Sequence, residues 1–285
     1  MADHAVVEDD IIFIYTGGRA PQHITHARID KSVTVIEEEA FCGNPHLLSV
    51  DIHDKVERVK HMAFCNCTSL SSVKLLGVKV IEEGAFYNCT QLTDVEFGNK
   101  LEIIRHTVFA SCTSLENVTI PSVKNVGEWA FNGCTRLTSL DLPEELETVQ
   151  YQAFDNCPSL RRLVIPLNDG IMGTHDGITI DNDNVFDCPN LTRVALVGWV
   201  HSFISSSPLE HWRKEIIDEI RQINQVLPNT PTREKTAAIQ QWMRLVIRKI
   251  NKYKSEHYSY KILKEATALL ERALFIENKE VRLRR

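Results

Sequence analysis

Seven phenylalanines, Phe41, Phe64, Phe86, Phe109, Phe131, Phe154 and Phe186, recur at intervals of 23, 22, 23, 22, 23 and 32 residues. A fixed period of this length means stacked structural units, each burying its apolar side against its neighbours, instead of one globular core. Reading forward from each phenylalanine gives the unit A-F-x-x-C-x-x-L-x-x-V-x-I. Examples are Ala63-Phe64 through Cys67 and Leu70 to Val73 and Leu75, and Ala85-Phe86 through Cys89 and Leu92 to Val95 and Phe97. A second apolar pair follows in each unit: Val56/Val59, Val78/Ile81, Leu101/Ile104, Val123/Val126 and Leu146/Val149. These pairs return the chain to the next Ala-Phe.

The V-x-I portion alternates as a half-buried strand does. No two-residue hairpin turn follows it, so each turn lays its strand beside the previous one in parallel. Strands stand about 4.8 Å apart, so eight rungs make a stack on the order of 40 Å long. The first rung lacks the Ala-Phe unit, but Ile24, Ala27 and Ile29 sit 23 residues before Leu47, Val50 and Ile52 and match them in type. The preceding apolar run to Tyr15 reads as an N-terminal cap over the open end, which solenoids require. The last rung, Leu191/Val194/Leu196, follows a unit lengthened within Asn168–Asn184, where Asp-Gly turn signals predict a projecting loop.

These residues resemble the BspA-like leucine-rich repeat family, whose unit contains L-x-x-L-x-L-P and A-F-x-x-C. The proline is present as Pro121, Pro143 and Pro166 and missing from the other rungs. The likeness covers about residues 24–197. It implies a curved leucine-rich-repeat solenoid that serves adhesion or protein binding, and it implies no catalytic residues.

Charge divides the chain. Net charge is −6 overall, made of −13 over residues 1–207 and +7 over residues 208–285. The asymmetry and the run Ser205-Ser206-Ser207-Pro208 place a boundary there. The expected organisation is an N-terminal cap (1–23), a solenoid (24–204) and a small α-helical C-terminal module (205–285). In that module Leu209, Trp212, Ile216, Ile220, Ile223 and Leu227 lie on one helix face, and Ile239, Trp242, Val246, Ile250 and Tyr253 on a second. Thr230-Pro231 reads as the start of the second helix, and a third is expected around Tyr260–Glu277. The helices either cap the last rung or present a partner-binding surface through Arg244, Arg248, Lys249 and Lys252; these basic helices would then dock on the acidic solenoid or on a second partner.

The acidic N-terminus is not a signal peptide, and no apolar run approaches 18 residues, so a cytoplasmic protein without a transmembrane segment is expected. Cys67, Cys89, Cys112, Cys134, Cys157 and Cys188 occupy one equivalent position and read as a ladder of small buried thiols. Cys65-Asn66-Cys67 has no histidine partners at zinc spacing, and neither a metal nor a cofactor is expected. Asp181–Asp187 resembles a calcium loop but carries Val185 and Phe186 where an oxygen ligand and a glycine belong. Asn66, Asn88, Asn117 and Asn190 head glycosylation-like triplets, three of them built from residues that the repeat itself demands.

No nucleophile elbow, phosphate loop or dinucleotide fingerprint occurs. The predicted function is a non-enzymatic protein-interaction scaffold; a surface or secreted adhesin is the alternative that the resemblance implies. Nucleic acid is not an expected ligand. Outward-facing positions of the V-x-I strands are the candidate contacts: Asp51, Lys74, Asp94, Glu96, Asp141, Arg162 and Arg193. The middle of that face reads as acidic, and its C-terminal end as basic and partly apolar, with Arg161 beside Val164.

Overall fold

A computed structural model describes residues 12–166, 188–197, 210–249 and 252–253. Each turn of the chain makes one front strand, one two-residue back strand and one tight corner at Ala-Phe. The front strands are His26–Ile29, Ser49–Asp51, Ser72–Leu75, Asp94–Phe97, Asn117–Thr119, Ser139–Asp141, Arg162–Pro166 and Arg193–Val197. All eight rungs of the sequence, the first with Ile24 and the other seven with leucine at the anchor position, are present on this face. The back strands are Val35–Ile36, Arg58–Val59, Val80–Ile81, Ile103–Ile104, Asn125–Val126 and Thr148–Val149, giving six turns with both faces among the described residues. Every strand pairing is parallel.

The apolar pairs expected only to return the chain therefore build a second sheet of six strands. Val59, Ile81, Ile104 and Val149 point inward from it, none more than 4% exposed, while the alternate positions face out. At the corner, the Phe41 amide donates to the Ala63 carbonyl (2.7 Å), Phe64 to Ala85 (2.7 Å), Phe109 to Ala130 (2.7 Å) and Phe131 to Ala153 (2.8 Å). Front, back and corner ladders thus satisfy the backbone of each turn from the next, which is how a chain with so little regular structure per turn meets its hydrogen-bonding requirement.

The recurring phenylalanines form one column. Successive rings from Phe41 to Phe154 lie 4.9–5.3 Å apart and within 17° of parallel. Phe186 and the long loop lie outside the described residues. Each cysteine of the ladder donates its thiol to a phenylalanine carbonyl on the turn before: Cys67 to Phe41 (3.1 Å), Cys89 to Phe64 (3.1 Å), Cys112 to Phe86 (3.2 Å), Cys134 to Phe109 (3.3 Å), Cys157 to Phe131 (3.3 Å) and Cys188 to Phe154 (3.2 Å). From Cys67 to Cys157 the residue before the ladder cysteine is left-handed, as in Asn66 (φ 58°), Asn88 (φ 59°) and Asn156 (φ 52°). Asparagine tolerates that conformation better than most residues, which gives the Asn-Cys-Thr triplets a structural origin. Asn66 is also engaged on its neighbour turn, accepting from Asn88 Nδ2 at 2.8 Å.

The front face is split. Strands through Asp94–Phe97 form one five-stranded sheet, and those from Asn117–Thr119 onward form a four-stranded one. At the break Phe97 replaces the aliphatic residue of other rungs and sets its ring edge-on against Phe109 (5.7 Å, 80°). Val108 also replaces the corner alanine. Both add volume at one level, and ring spacing is 4.9–5.0 Å as far as Phe86 and 5.3 Å from there to Phe154.

The two ends are closed differently. The run expected as a covering cap is itself a parallel strand, Ile12–Tyr15, paired with His26–Ile29. Tyr15 is fully buried, tilts onto the Phe41 ring at 5.0 Å and accepts a hydrogen bond from the Glu37 amide (3.3 Å). At the other end, the helix Glu210–Val226 and a second helix over 232–249 pack on the last rung, with Ile216, Ile223, Leu227, Ile239, Trp242 and Val246 in the same core as the solenoid. Asn224 copies a missing strand: its side-chain oxygen accepts from the Val194 amide (2.8 Å) and its nitrogen donates to the Val194 carbonyl (3.0 Å). Lys235 is buried and donates to the carbonyls of Pro189 (2.6 Å) and Leu191 (2.8 Å). Thr230 does not cap the second helix through its side chain; its hydroxyl donates back to the Val226 carbonyl (3.0 Å), closing the short helical turn Leu227–Asn229. The expected third helix lies outside the described residues.

Candidate recognition surface

Strand register fixes which outward side chains stand beside one another. On the front face one column runs Arg28, Asp51 and then, after Ser49↔Ser72 joins the next strand, Lys74 and Glu96. Across the break it resumes as Thr119, Asp141, Val164 and Ala195. The neighbouring column carries His26, Ser49, Ser72 and Asp94, then Asn117, Ser139, Arg162 and Arg193. All seven candidate contacts are on this one face. Val164, expected to face outward as part of it, is only 6% exposed, so the open part of its column is interrupted after Asp141.

Charge along the face is largely spent within the protein. Arg28 bonds Asp51 (3.0 Å), Lys74 bonds Glu96 (2.9 Å) and Arg162 bonds Asp141 (2.6 Å), each pair linking two neighbouring turns. The bond to Glu96 raises the pKa of Lys74. The reading of a plain acidic patch is thereby corrected: Asp51, Glu96 and Asp141 each carry a cationic partner. Among the described residues Asp94 and Arg193 form no ion pair, and neither does the exposed Arg161. Asp94 stands on the same strand as Glu96 and its charge also acts on Lys74 of the neighbouring strand, while Arg193 is the register partner of Arg162.

The back face is organised otherwise. Glu57, Lys79, Glu102, Lys124 and Glu147 occupy one column, joined amide to carbonyl from turn to turn (Lys79 to Glu57 2.8 Å, Glu102 to Lys79 2.9 Å, Lys124 to Glu102 2.9 Å, Glu147 to Lys124 2.7 Å). Their signs alternate without a break. Lys79 reaches Glu57 at 3.0 Å and Lys124 reaches Glu102 at 3.8 Å. Sequence reasoning missed this column, although its 22–23-residue spacing was there to be read. An open groove of about 360 Å³ also lies on the back, lined by Glu83, Arg105, His106 and Gln150. Its His106–Glu83 pair (3.4 Å) is 45% and 54% exposed, so it offers no desolvated acid or base.

Among the described residues no set of three or more His, Cys, Asp or Glu is placed to hold a metal. Cys67 turns into the core toward the Phe41 carbonyl, whereas Cys65 accepts from Asn66 Nδ2 (3.1 Å), so the Cys-x-Cys pair does not converge. The calcium-like segment lies outside the described residues. Of the basic helical residues, Lys249 bonds Glu219 on the first helix, while Arg244 and Arg248 remain exposed. No helix among the described residues is long and apolar enough to cross a membrane.

A 22–23-residue unit with Phe, Cys and Leu columns and parallel strands on two faces meets the family described as BspA type leucine rich repeat region, whose model matches residues 20–125, 63–175 and 102–210 in six copies. The chain belongs to this family. Among solved structures, the BspA-type chain is similar to the Treponema pallidum leucine rich repeat protein TpLRR, with 31% identity over 49% of this chain and 63% of that one (TM-score 0.43). It is similar to a leucine-rich repeat protein from Eubacterium ventriosum, with 21% identity over 62% and 43% (TM-score 0.47). It is also similar to the pneumococcal vaccine antigen PcpA, with 20% identity over 65% and 54% (TM-score 0.38). The chain thus spans less than two thirds of the length of each. No curated protein matches it.

Proposed function

We propose that this BspA-type protein is a non-enzymatic, cytoplasmic interaction scaffold that recognises a protein partner through the front strand face. The contrast between the two faces carries the reading. Back-face charges alternate along their column and pair between turns, leaving little for a partner to answer. The front face holds three pairs in the same way but leaves Asp94 near its middle and Arg193, with Arg161, toward its C-terminal end. Opposite charges outside any ion pair, at separate points on a rigid ladder, fix both register and direction of a bound chain. The paired residues Asp51, Lys74, Glu96, Asp141 and Arg162 supply directional hydrogen bonding around them.

A double reversal, Asp94→Arg with Arg193→Glu, tests this without breaking any ion pair among the described residues. Affinity capture followed by titration of the captured partner should show at least about tenfold weaker binding, near 1.4 kcal/mol. A back-face exchange, Glu57→Lys with Lys79→Glu, should leave affinity unchanged. Equal affinity for the front-face double variant and the parent protein would overturn the assignment.

A further inference from the structure

Six cysteines serve the ladder; Cys42 and Cys65 do not. Each directly follows the repeat phenylalanine, on consecutive turns, where later turns carry Tyr87, Ala110, Asn132 and Asp155. The repeat therefore makes no demand for sulfur at this position. The two turns are held in register by the Phe41 amide on the Ala63 carbonyl (2.7 Å) and the Gly43 amide on the Cys65 carbonyl (2.6 Å). The Phe41 and Phe64 rings beside them are 4.9 Å apart. One rung spacing separates the two Cα atoms by about 5 Å, inside the window that a disulfide spans. The Cys42 thiol acts on that of Cys65 and, after burial, helps to raise its pKa. Cys42 is partly buried and Cys65 is buried.

We propose that Cys42 and Cys65 form a peroxide-sensitive dithiol that closes to an intrachain disulfide between neighbouring turns. Cys42, the more exposed of the two residues, attacks one oxygen of hydrogen peroxide as its thiolate. The O–O bond breaks, water leaves after protonation, and Cys42 becomes a sulfenic acid. The Cys65 sulfur then attacks that of Cys42; the S–O bond breaks, the Cys65 proton goes to the departing oxygen, and a second water leaves. Two thiols lose two electrons and two protons, and one peroxide becomes two waters. Burial and the Cys42 contact push Cys65 up to about 12, which assigns it the resolving and not the attacking role. The ladder thiols are buried and stay reduced. This inference rests on the turn geometry and is independent of the front-face reading.

The test uses the full chain, reduced, exposed to hydrogen peroxide in native buffer, then alkylated, digested and read by mass spectrometry. The expected product is a Cys42–Cys65 linked peptide with two thiols lost per chain, reversed by dithiothreitol, and no linkage in Cys42→Ser. In Cys65→Ala, Cys42 should instead be trapped by a sulfenic-acid reagent. Stalling of wild-type Cys42 at sulfinic acid with Cys65 still alkylatable, disulfide-linked dimers through Cys42, linkage of Cys42 to Cys67, or no thiol loss would each overturn the proposal.

Discussion

Raising the pH should unfold this protein through its buried cysteines. An exposed thiol ionises near 9.0, whereas Cys65, Cys67 and Cys112 are pushed up to about 12 and Cys89 and Cys134 well above 9.0, burial being the main cause in each. The folded values are raised, so the thiols add no pH dependence well below 9. Between about 9 and 12 the unfolded chain has released protons that the folded chain retains, and stability falls as pH rises. Each such thiol costs on the order of 1 kcal/mol between pH 8 and pH 10, so the five together cost several kcal/mol, comparable to the whole stability of an ordinary domain. Lys235 works in the opposite direction, because burial lowers its pKa, but it is one group against five. Tyr15, whose pKa is raised by burial, adds to the loss only from about pH 10 upward. Urea unfolding followed by circular dichroism at pH 7, 8, 9 and 10, under a phosphine reductant, measures the effect. Cys112→Ala should lose about a fifth of the slope whatever it does to absolute stability. A free energy that stays level within about 1 kcal/mol from pH 8 to pH 10 would refute the claim that these thiols are buried and protonated.

Replacing Lys235 with Met strips the donors from the Pro189 and Leu191 carbonyls and should cost about 3 kcal/mol in urea unfolding, with hydrogen exchange rising first in the last rung. Phe86→Ala opens a hole between Phe64 and Phe109 and should cost about 3–5 kcal/mol by the same assay. The Glu57→Lys, Lys79→Glu exchange keeps the pair but sets its cation beside neutral Thr34 and its carboxylate beside Glu102; a change beyond about 1 kcal/mol would show that the back column does more than balance exposed charge.

How far this could be read in advance depended on how many residues carried each signal. The phenylalanine column and the front register follow from side chains that recur on nearly every turn, so Val73 beside Val95 could be read from spacing. The back strands are two residues long, too short for alternation to register, and Val56/Val59 reads as a mere apolar pair until the strand is seen. The left-handed Asn66 and Asn88 were visible as a preference for asparagine, but a preference does not state a backbone angle. Ion pairs such as Lys74–Glu96 need both the register and the side-chain conformation; the columns of charges were legible, their mutual neutralisation was not. The closing device was the least legible. Asn224 and Lys235 look like ordinary surface residues of amphipathic helices, and only the position of the last strand edge shows that one imitates a peptide group and the other supplies its missing donors.

The functional claim is that the front strand face meets the partner. A photo-crosslinking amino acid placed at Asp94 or Arg193, and in parallel at Glu57 or Glu102 on the back, tests it in the intact protein. The account predicts crosslinks to one common partner from both front positions and none above background from the back. Crosslinks to that partner from the back positions, with the front silent, would contradict it.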